Sequence, residues 1–324
     1  MAQSSDRPSR RLEDLGLDDR LVRMLHEEWG IEELFPPQAE ALPPALSGRN
    51  VMLTIPTASG KSLVAHLTMV HRLTTDLEGA RALYIVPLKA LATEKVKELR
   101  EIAGAVGLRV GLAIGDRSGE TGMIEDSDIL VCTSEKLDSL LRTRSELMDK
   151  VGIVVSDEFH LLHDPNRGPT LEVLLSRIRH RRPEVQIIAL SATVGNSEEM
   201  AEWLDAELIV SDWRPVTLRY GTLTGLDVRV HRVDGSGGEE LPEPRSIEGK
   251  STRALQAVLE DTIREGGQLL VFVSSRASAQ KEARELSKHV RKRLVGDSEA
   301  FDADSVEQWE AIADRLAVRD DASV

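Results

Sequence analysis

The chain has 324 residues, of which 41% are hydrophobic, enough for about two domains of roughly 150 residues, each with a core. Its single cysteine, Cys132, excludes an internal disulfide framework and a cysteine-based zinc site; the thiol is expected to pack as a small apolar group. A formal net charge of −14 argues against a basic nucleic-acid coat or a binder of anionic membranes, so any nucleic-acid contact must use a local groove.

No apolar run approaches the roughly 18 residues of a membrane span. The polar start, residues 1–11, lacks the apolar stretch of a secretory signal. A cytoplasmic protein with a disordered tail over residues 1–11 is expected. Leu15, Leu17, Leu21, Leu25 and Trp29 then share one helical face, which Gly30 ends. Phe35-Pro36-Pro37-Gln38 opens a short helix finishing near Gly48. Six runs rich in Val and Ile follow: Asn50–Ile55, Ala82–Pro87, Val110–Ile114, Asp128–Cys132, Val151–Ser156 and Gln186–Ser191. Helical patterns separate several of them, as in Leu63, Leu67, Val70, Leu73 and Leu77. Continuous apolar strands alternating with helices predict an α/β fold with a parallel sheet and ligand loops at the carboxyl ends of the strands.

The texture changes at Asp212-Trp213-Arg214-Pro215. Val216–Leu223 and Leu226–Val233 alternate like a hairpin, and residues 234–250 are rich in Gly, Pro and Glu, as an exposed loop is. A helix from about Ser251, a strand over Gln268–Val273 and a polar, helical remainder complete the pattern.

Two motifs carry chemistry. Ile55-Pro56-Thr57-Ala58-Ser59-Gly60-Lys61-Ser62 follows an expected strand and opens an expected helix, and Gly60-Lys61-Ser62 matches the end of a phosphate-binding loop. Backbone N–H groups of such a turn point at phosphates, Lys61 adds charge for the β- and γ-phosphates, and the Ser62 hydroxyl can ligate Mg²⁺. Ile55 stands at the first Gly of the general pattern, and Ala58 where many relatives carry Gly. Taken alone, the triplet also suits a surface turn with a solvated lysine. The second motif is Asp157-Glu158-Phe159-His160, after the strand Val151–Ser156. Two carboxylates at a buried strand end are costly unless they meet a cation; Asp157 is the candidate metal holder, and Glu158 the candidate base for an attacking water. Acids favoured at a helix N-terminus are the plainer reading. Ser191-Ala192-Thr193 ends another strand and either couples the acids to a neighbouring domain or is ordinary turn chemistry.

In this order the pieces resemble the superfamily-two nucleic-acid helicases. Phe35–Gln38 looks like their adenine-reading motif, Val86-Pro87-Leu88-Lys89-Ala90-Leu91 and Thr133-Ser134-Glu135-Lys136 like strand-contacting motifs, Asp157–His160 like a DExH box, and Phe272–Arg276 like the first motif of a second RecA domain. TSEKLDSLLR at 133–142, RGPTLEVLLSRI at 167–178, LSATVGN at 190–196, AEWLDAELIVSDWRPV at 201–216 and LVFVSSR at 270–276 are similar to the archaeal Ski-like DNA helicases often called helicase three-zero-eight. The resemblance covers roughly residues 12–315. It implies a P-loop NTPase, RecA-like domain over 12–211 and a partial second RecA-like domain over 212–324.

The resemblance further implies ATP and Mg²⁺ as cofactors. Gln38 would read adenine, Ile55 to Ser62 would hold phosphate, and Lys61, Asp157 and Glu158 would be catalytic, with Ser62 and Asp157 on the metal. Pro87, Leu88, Lys89, Thr133, Ser134, Ser274 and Arg276 would touch nucleic acid. Lys89 alone equally suits a solvated helix start, and Thr133 and Ser134 a helix cap. Two basic clusters, Arg177, Arg179, His180, Arg181 and Arg182, and Arg276, Lys281, Arg284, Lys288, Arg291, Lys292 and Arg293, read either as DNA contacts or as a helix C-terminus and a solvated face.

The implied activity is ATP-dependent helicase action, three-prime to five-prime on single-stranded or forked DNA, in repair or fork restart. A Ski-like RNA helicase and a non-catalytic nucleotide-dependent binding module are the alternatives. The family's arginine-finger motifs and later domains have no counterpart after Arg276. A monomeric motor portion that needs those domains, with hydrolysis lowered on the order of 10³–10⁵-fold without the arginines, is therefore expected.

Overall fold

The computed structural model describes residues 10–115, 124–234, 241–247 and 253–296, without side chains for 145 and 293–296. Most of the expected tail, parts of the 234–250 loop, the start of the helix placed at Ser251 and the side chain of Arg293 lie outside the described residues. The chain divides into two compact units between Thr217 and Leu218.

The first unit is a seven-stranded sheet. Its strands are β1 (Val51–Thr54), β2 (Arg81–Val86), β3 (Val110–Ala113), β4 (Ile129–Thr133), β5 (Val151–Ser156), β6 (Gln186–Ser191) and β7 (Glu207–Val210), in the order β3-β4-β2-β5-β6-β1-β7. All six pairings are parallel, so the carboxyl ends of the strands share one edge. Alternate residues feed two cores, because successive side chains of a strand point to opposite faces. Val51, Leu53, Tyr84, Val131, Val155 and Leu190 enter one core; Met52, Leu83, Cys132, Val154 and Ile187 enter the other. The first is covered by α1 (Asp19–Glu27), α2 (Pro36–Leu46), α3 (Lys61–Leu73) and α4 (Lys89–Gly104), the second by α5 (Ser134–Thr143), α6 (Gly168–Arg181) and α7 (Ser197–Leu204). Cys132 is fully buried, and burial pushes its thiol up to about 12, so it packs as an apolar group.

The α/β expectation is met, with differences that have local causes. The single helix expected over Leu15–Trp29 is a 3₁₀ turn, Leu12–Leu15, followed by α1. Gly16 turns left-handed at φ 67°, and the Asp18 carboxylate accepts the Arg20 N–H at 2.8 Å, starting the helix afresh. Sequence reading marked no strand at Glu207–Val210, which among the described residues pairs with β1 alone. A four-residue edge strand carries too little pattern to stand out.

The second unit holds a hairpin, β8 (Leu218–Thr224) and β9 (Asp227–Asp234), with a two-residue β10 (Arg245–Ser246) antiparallel to β9. Its helices are α8 (Ala254–Arg264) and α9 (Arg276–Gly296), joined where His289 Nε2 lies 2.6 Å from Glu260 Oε1. The strand expected over Gln268–Val273 is not formed: the segment pairs with no described strand, and Leu270 and Phe272 are 77% and 86% exposed. An apolar run becomes a strand only when a neighbour supplies hydrogen-bonding partners for its backbone.

Candidate nucleotide and nucleic-acid site

The loop after β1 turns sharply into α3. Ala58 and Gly60 both adopt left-handed backbone, at φ 65° and 70°. Gly60 is further restricted because a Cβ there would collide with the Gln38 amide. That amide donates from Nε2 to the Gly60 carbonyl at 2.9 Å, while Gln38 Oε1 accepts the Phe35 N–H at 2.8 Å. Gln38 thus ties the start of α2 to the loop. A left-handed L-residue costs about 1–2 kcal/mol, whereas Ala→Gly ordinarily costs about 0.5–1 kcal/mol of chain entropy. Ala58→Gly is therefore expected to leave stability unchanged or to raise it. Urea unfolding checks this, and a loss above about 1 kcal/mol would show that the left-handed strain is absent.

Lys61 opens α3 and is 7% exposed. Its Nζ donates to the Ile55 carbonyl at 3.4 Å. Burial pushes its pKa down, and the nearby negative charges of Glu158 and Asp157 oppose that shift. A desolvated ammonium facing two carboxylates marks the place where these motifs meet. Ser59 is fully buried and donates to the Trp213 carbonyl at 3.3 Å; the Trp213 ring packs on Phe35 with centroids 4.6 Å apart. Pro56 is buried, Thr57 and Ala58 are exposed, and Ser62 is half-buried. Trp213 is a site residue that sequence reading did not single out.

The acids follow β5, separated from β1 by β6 alone. Asp157 is 8% exposed. Its Oδ2 accepts the Tyr84 hydroxyl at 2.9 Å, and its Oδ1 accepts the Glu158 N–H at 2.9 Å. Burial, helped by the Glu158 charge, raises its pKa, against the opposing pull of the Tyr84 hydrogen bond and Lys95. Glu158 sits left-handed at φ 49°, a strained conformation of the kind that clusters at functional sites. The turn directs Glu158 away from the buried strand and brings its Oε2 to 3.3 Å from His160 Nδ1. The same Nδ1 accepts the Ala192 N–H at 3.4 Å. These contacts need opposite states of one nitrogen, an acceptor toward Ala192 and a donor toward Glu158. His160 therefore connects the acids to the Ser191–Thr193 turn. Ser191 is buried, its carbonyl accepts the Ile55 N–H at 3.3 Å, and Thr193 is exposed. Phe159 is fully buried and stacks with Trp203 at 6.4 Å.

Among the described residues, no group of three or more His, Cys, Asp or Glu could hold a metal ion. The donor set nonetheless fits Mg²⁺, which keeps several waters and is commonly held by one or two carboxylates together with substrate phosphates. Asp157, with the hydroxyl of Ser62 nearby, has that character.

The sequence model of the DEAD/DEAH box helicases matches residues 35–201, which contain all of these groups except Trp213 and Trp203. The chain belongs to the DEAD/DEAH box helicase family. It is similar to the ATP-dependent DNA helicase Hel308 of Thermococcus kodakarensis, at 45% identity over 88% of this chain and 24% of that protein. It is also similar to the Hel308 of Methanocella arvoryzae, at 41% identity over 82% of this chain and 35% of that protein. The chain thus spans between about a quarter and just over a third of these curated relatives. Among solved structures it resembles the DUF1998 helicase MrfA, with a TM-score of 0.64 at 23% identity over 87% of this chain and 42% of MrfA. A second MrfA structure, bound to DNA, matches with a TM-score of 0.54 at 25% identity over 62% of this chain and 28% of that chain.

In this DEAD/DEAH box protein, Pro87, Leu88, Lys89 and Thr133 line one open cleft of about 440 Å³ together with Lys136 and Arg167. Ser134 is buried at the base of α5, where the Thr133 hydroxyl caps the helix by accepting the Lys136 N–H at 3.4 Å. The capping reading of Thr133 is thus satisfied alongside its place in the cleft. Lys136 donates to the Gly115 carbonyl at 2.6 Å. Sequence reading did not single out Arg167. Ser274 and Arg276 belong to the second unit; both are exposed, and Arg276 opens α9.

The two basic clusters differ in their surroundings. Arg177 pairs with Asp138 at 2.8 Å, Arg181 with Asp149 at 3.6 Å, and Arg182 with Glu184. Arg179 donates to the Trp203 carbonyl and lies 5.9 Å from the centre of that ring. These arginines are held by acids, a carbonyl and a ring close to the end of α6. On α9, Lys281, Arg284, Lys288, Arg291 and Lys292 form an exposed face.

Proposed function

We propose that the chain is the nucleotide-binding motor portion of an ATP-dependent DNA helicase. The observation that carries this reading is the buried Lys61 set against Asp157 and Glu158 at the carboxyl edge of one parallel sheet. In this reading Gln38 and Phe35 border the base, the backbone from Ile55 to Gly60 cradles the phosphates, and Lys61 leaves the Ile55 carbonyl for the phosphate oxygens. Ser62 and Asp157 would hold a magnesium ion, which would supply positive charge against the phosphates. Glu158 orients the attacking water and accepts its proton. His160 and the Ser191–Thr193 turn relay the state of the acids to a neighbouring domain.

The cleft around Lys89, Thr133 and Arg167 takes the backbone of a single strand. Contact through a few cations, hydroxyls and N–H groups is sequence-independent and salt-sensitive, consistent with the net charge of −14. DNA is preferred to RNA because the curated relatives are named DNA helicases. Three-prime to five-prime translocation, a role in repair or fork restart and a cytoplasmic location belong to the same reading; among the described residues no helix is long and apolar enough to cross a membrane. The test is binding of a fluorescent ATP analogue to this chain, followed by hydrolysis by a full-length version with single-stranded DNA or RNA added. Binding with preferential stimulation by DNA is expected. Stimulation by RNA alone would move the chain to the RNA branch, and no nucleotide binding would end the motor reading.

A further inference from the structure

Tyr84 is the largest fully buried side chain of the first unit's sheet, in the middle of β2, and its hydroxyl has a specific destination. It donates to Asp157 Oδ2 at 2.9 Å. The Ser62 hydroxyl acts on the same phenol, opposing the rise that burial gives its pKa, and so lies beside it. One phenol oxygen therefore stands between the hydroxyl that follows the lysine and the first acid of the pair, two groups brought together from α3 and the end of β5. The ring is fixed from the side by His66 of α3, at a centroid distance of 5.6 Å. His66 is fully buried, and neither of its ring nitrogens has a hydrogen-bond partner. The imidazole therefore packs as an aromatic wall. Burial pushes its pKa down to about 3, so the wall is uncharged around neutral pH. A phenylalanine would fill β2 equally well; the hydroxyl is the only part of Tyr84 that packing does not require.

We propose that Tyr84 is a positioning residue that pre-orients Ser62 and Asp157 for magnesium. It holds Oδ2 by its proton while Oδ1 accepts the Glu158 N–H, so the carboxylate is fixed with its remaining lone pairs open to a metal-bound water, and the same phenol oxygen steadies the Ser62 hydroxyl. Partners that orient metal-facing groups are commonly worth about 10–100-fold in metal affinity. The inference rests on the proposed nucleotide site and concerns its metal dependence.

The experiment uses the 324-residue chain and a fluorescent ATP analogue, titrated with Mg²⁺. Tyr84→Phe is expected to raise the Mg²⁺ concentration for half-maximal effect by about tenfold or more, with metal-free analogue affinity and melting temperature close to wild type. An unchanged Mg²⁺ midpoint overturns the proposal, as does an equal loss of metal-free affinity. If Tyr84→Phe does not fold, wild type gives the answer. The chain has two tyrosines, Tyr84 and Tyr220, so ¹³Cζ-tyrosine labelling yields two signals. Adding Mg²⁺ to the analogue complex should move the Tyr84 signal and leave Tyr220 in place; a stationary Tyr84 signal overturns the proposal. Wild type that binds no analogue would instead remove the underlying site, an outcome separate from either result.

Discussion

Glu158→Gln is expected to keep nucleotide affinity within about threefold of wild type while hydrolysis falls by about 10²–10⁴-fold, the range for removing a general base. The substitution preserves size and the ability to reach the His160 Nδ1, which lies 3.3 Å away. It removes the carboxylate's capacity to take a proton from water. The left-handed backbone at φ 49° belongs to the residue's place after β5, so glutamine inherits the strain and stability should hardly change. Analogue binding and product formation, measured on one preparation of a full-length version with single-stranded DNA present, separate the two effects. Turnover within tenfold of wild type would take Glu158 out of the water-activating role.

Lys61→Ala should have the opposite signature, with binding lost and folding kept. Lys61 is 7% exposed, and burial lowers its pKa against the opposing charges of Glu158 and Asp157, so the folded chain bears a desolvation cost that a polyphosphate would further offset. A charge-assisted hydrogen bond contributes about 1.5–3 kcal/mol. Analogue affinity should therefore fall at least about tenfold, and more where two phosphates share the lysine. Removing the buried charge also removes its desolvation cost, so the melting temperature should stay within a few degrees. Unchanged affinity for the analogue would contradict the phosphate-binding reading, whatever the stability.

Much of the architecture was legible because strands buried on both faces read as unbroken apolar runs. Val151–Ser156 and Gln186–Ser191 have the same limits in sequence and structure, since each is buried along nearly its whole length. The phosphate loop and the acids were legible because their chemistry needs particular residue types at particular places. Gln268–Val273 shows where this reasoning fails: its apolar pattern is that of a strand, yet no described strand pairs with it. Glu207–Val210 fails the other way, since pairing with β1 makes it a strand. Tyr84 and Trp213 were not legible as site residues. In a buried strand a tyrosine reads as core, and only its 2.9 Å bond to Asp157 gives the hydroxyl a role.

By itself the sequence determined the class of fold, the order of the sheet-forming runs in the chain and the residue types able to hold a triphosphate, because these depend on local pattern and intrinsic chemistry. Only the tertiary structure decided which groups meet. The strand order brings β1 and β5 to either side of β6, the left-handed turns at Ala58, Gly60 and Glu158 aim the loops, and the phenol of Tyr84 comes to lie against Asp157. Those meetings depend on backbone pairing and side-chain burial between segments far apart in the chain, and no local pattern records such energies.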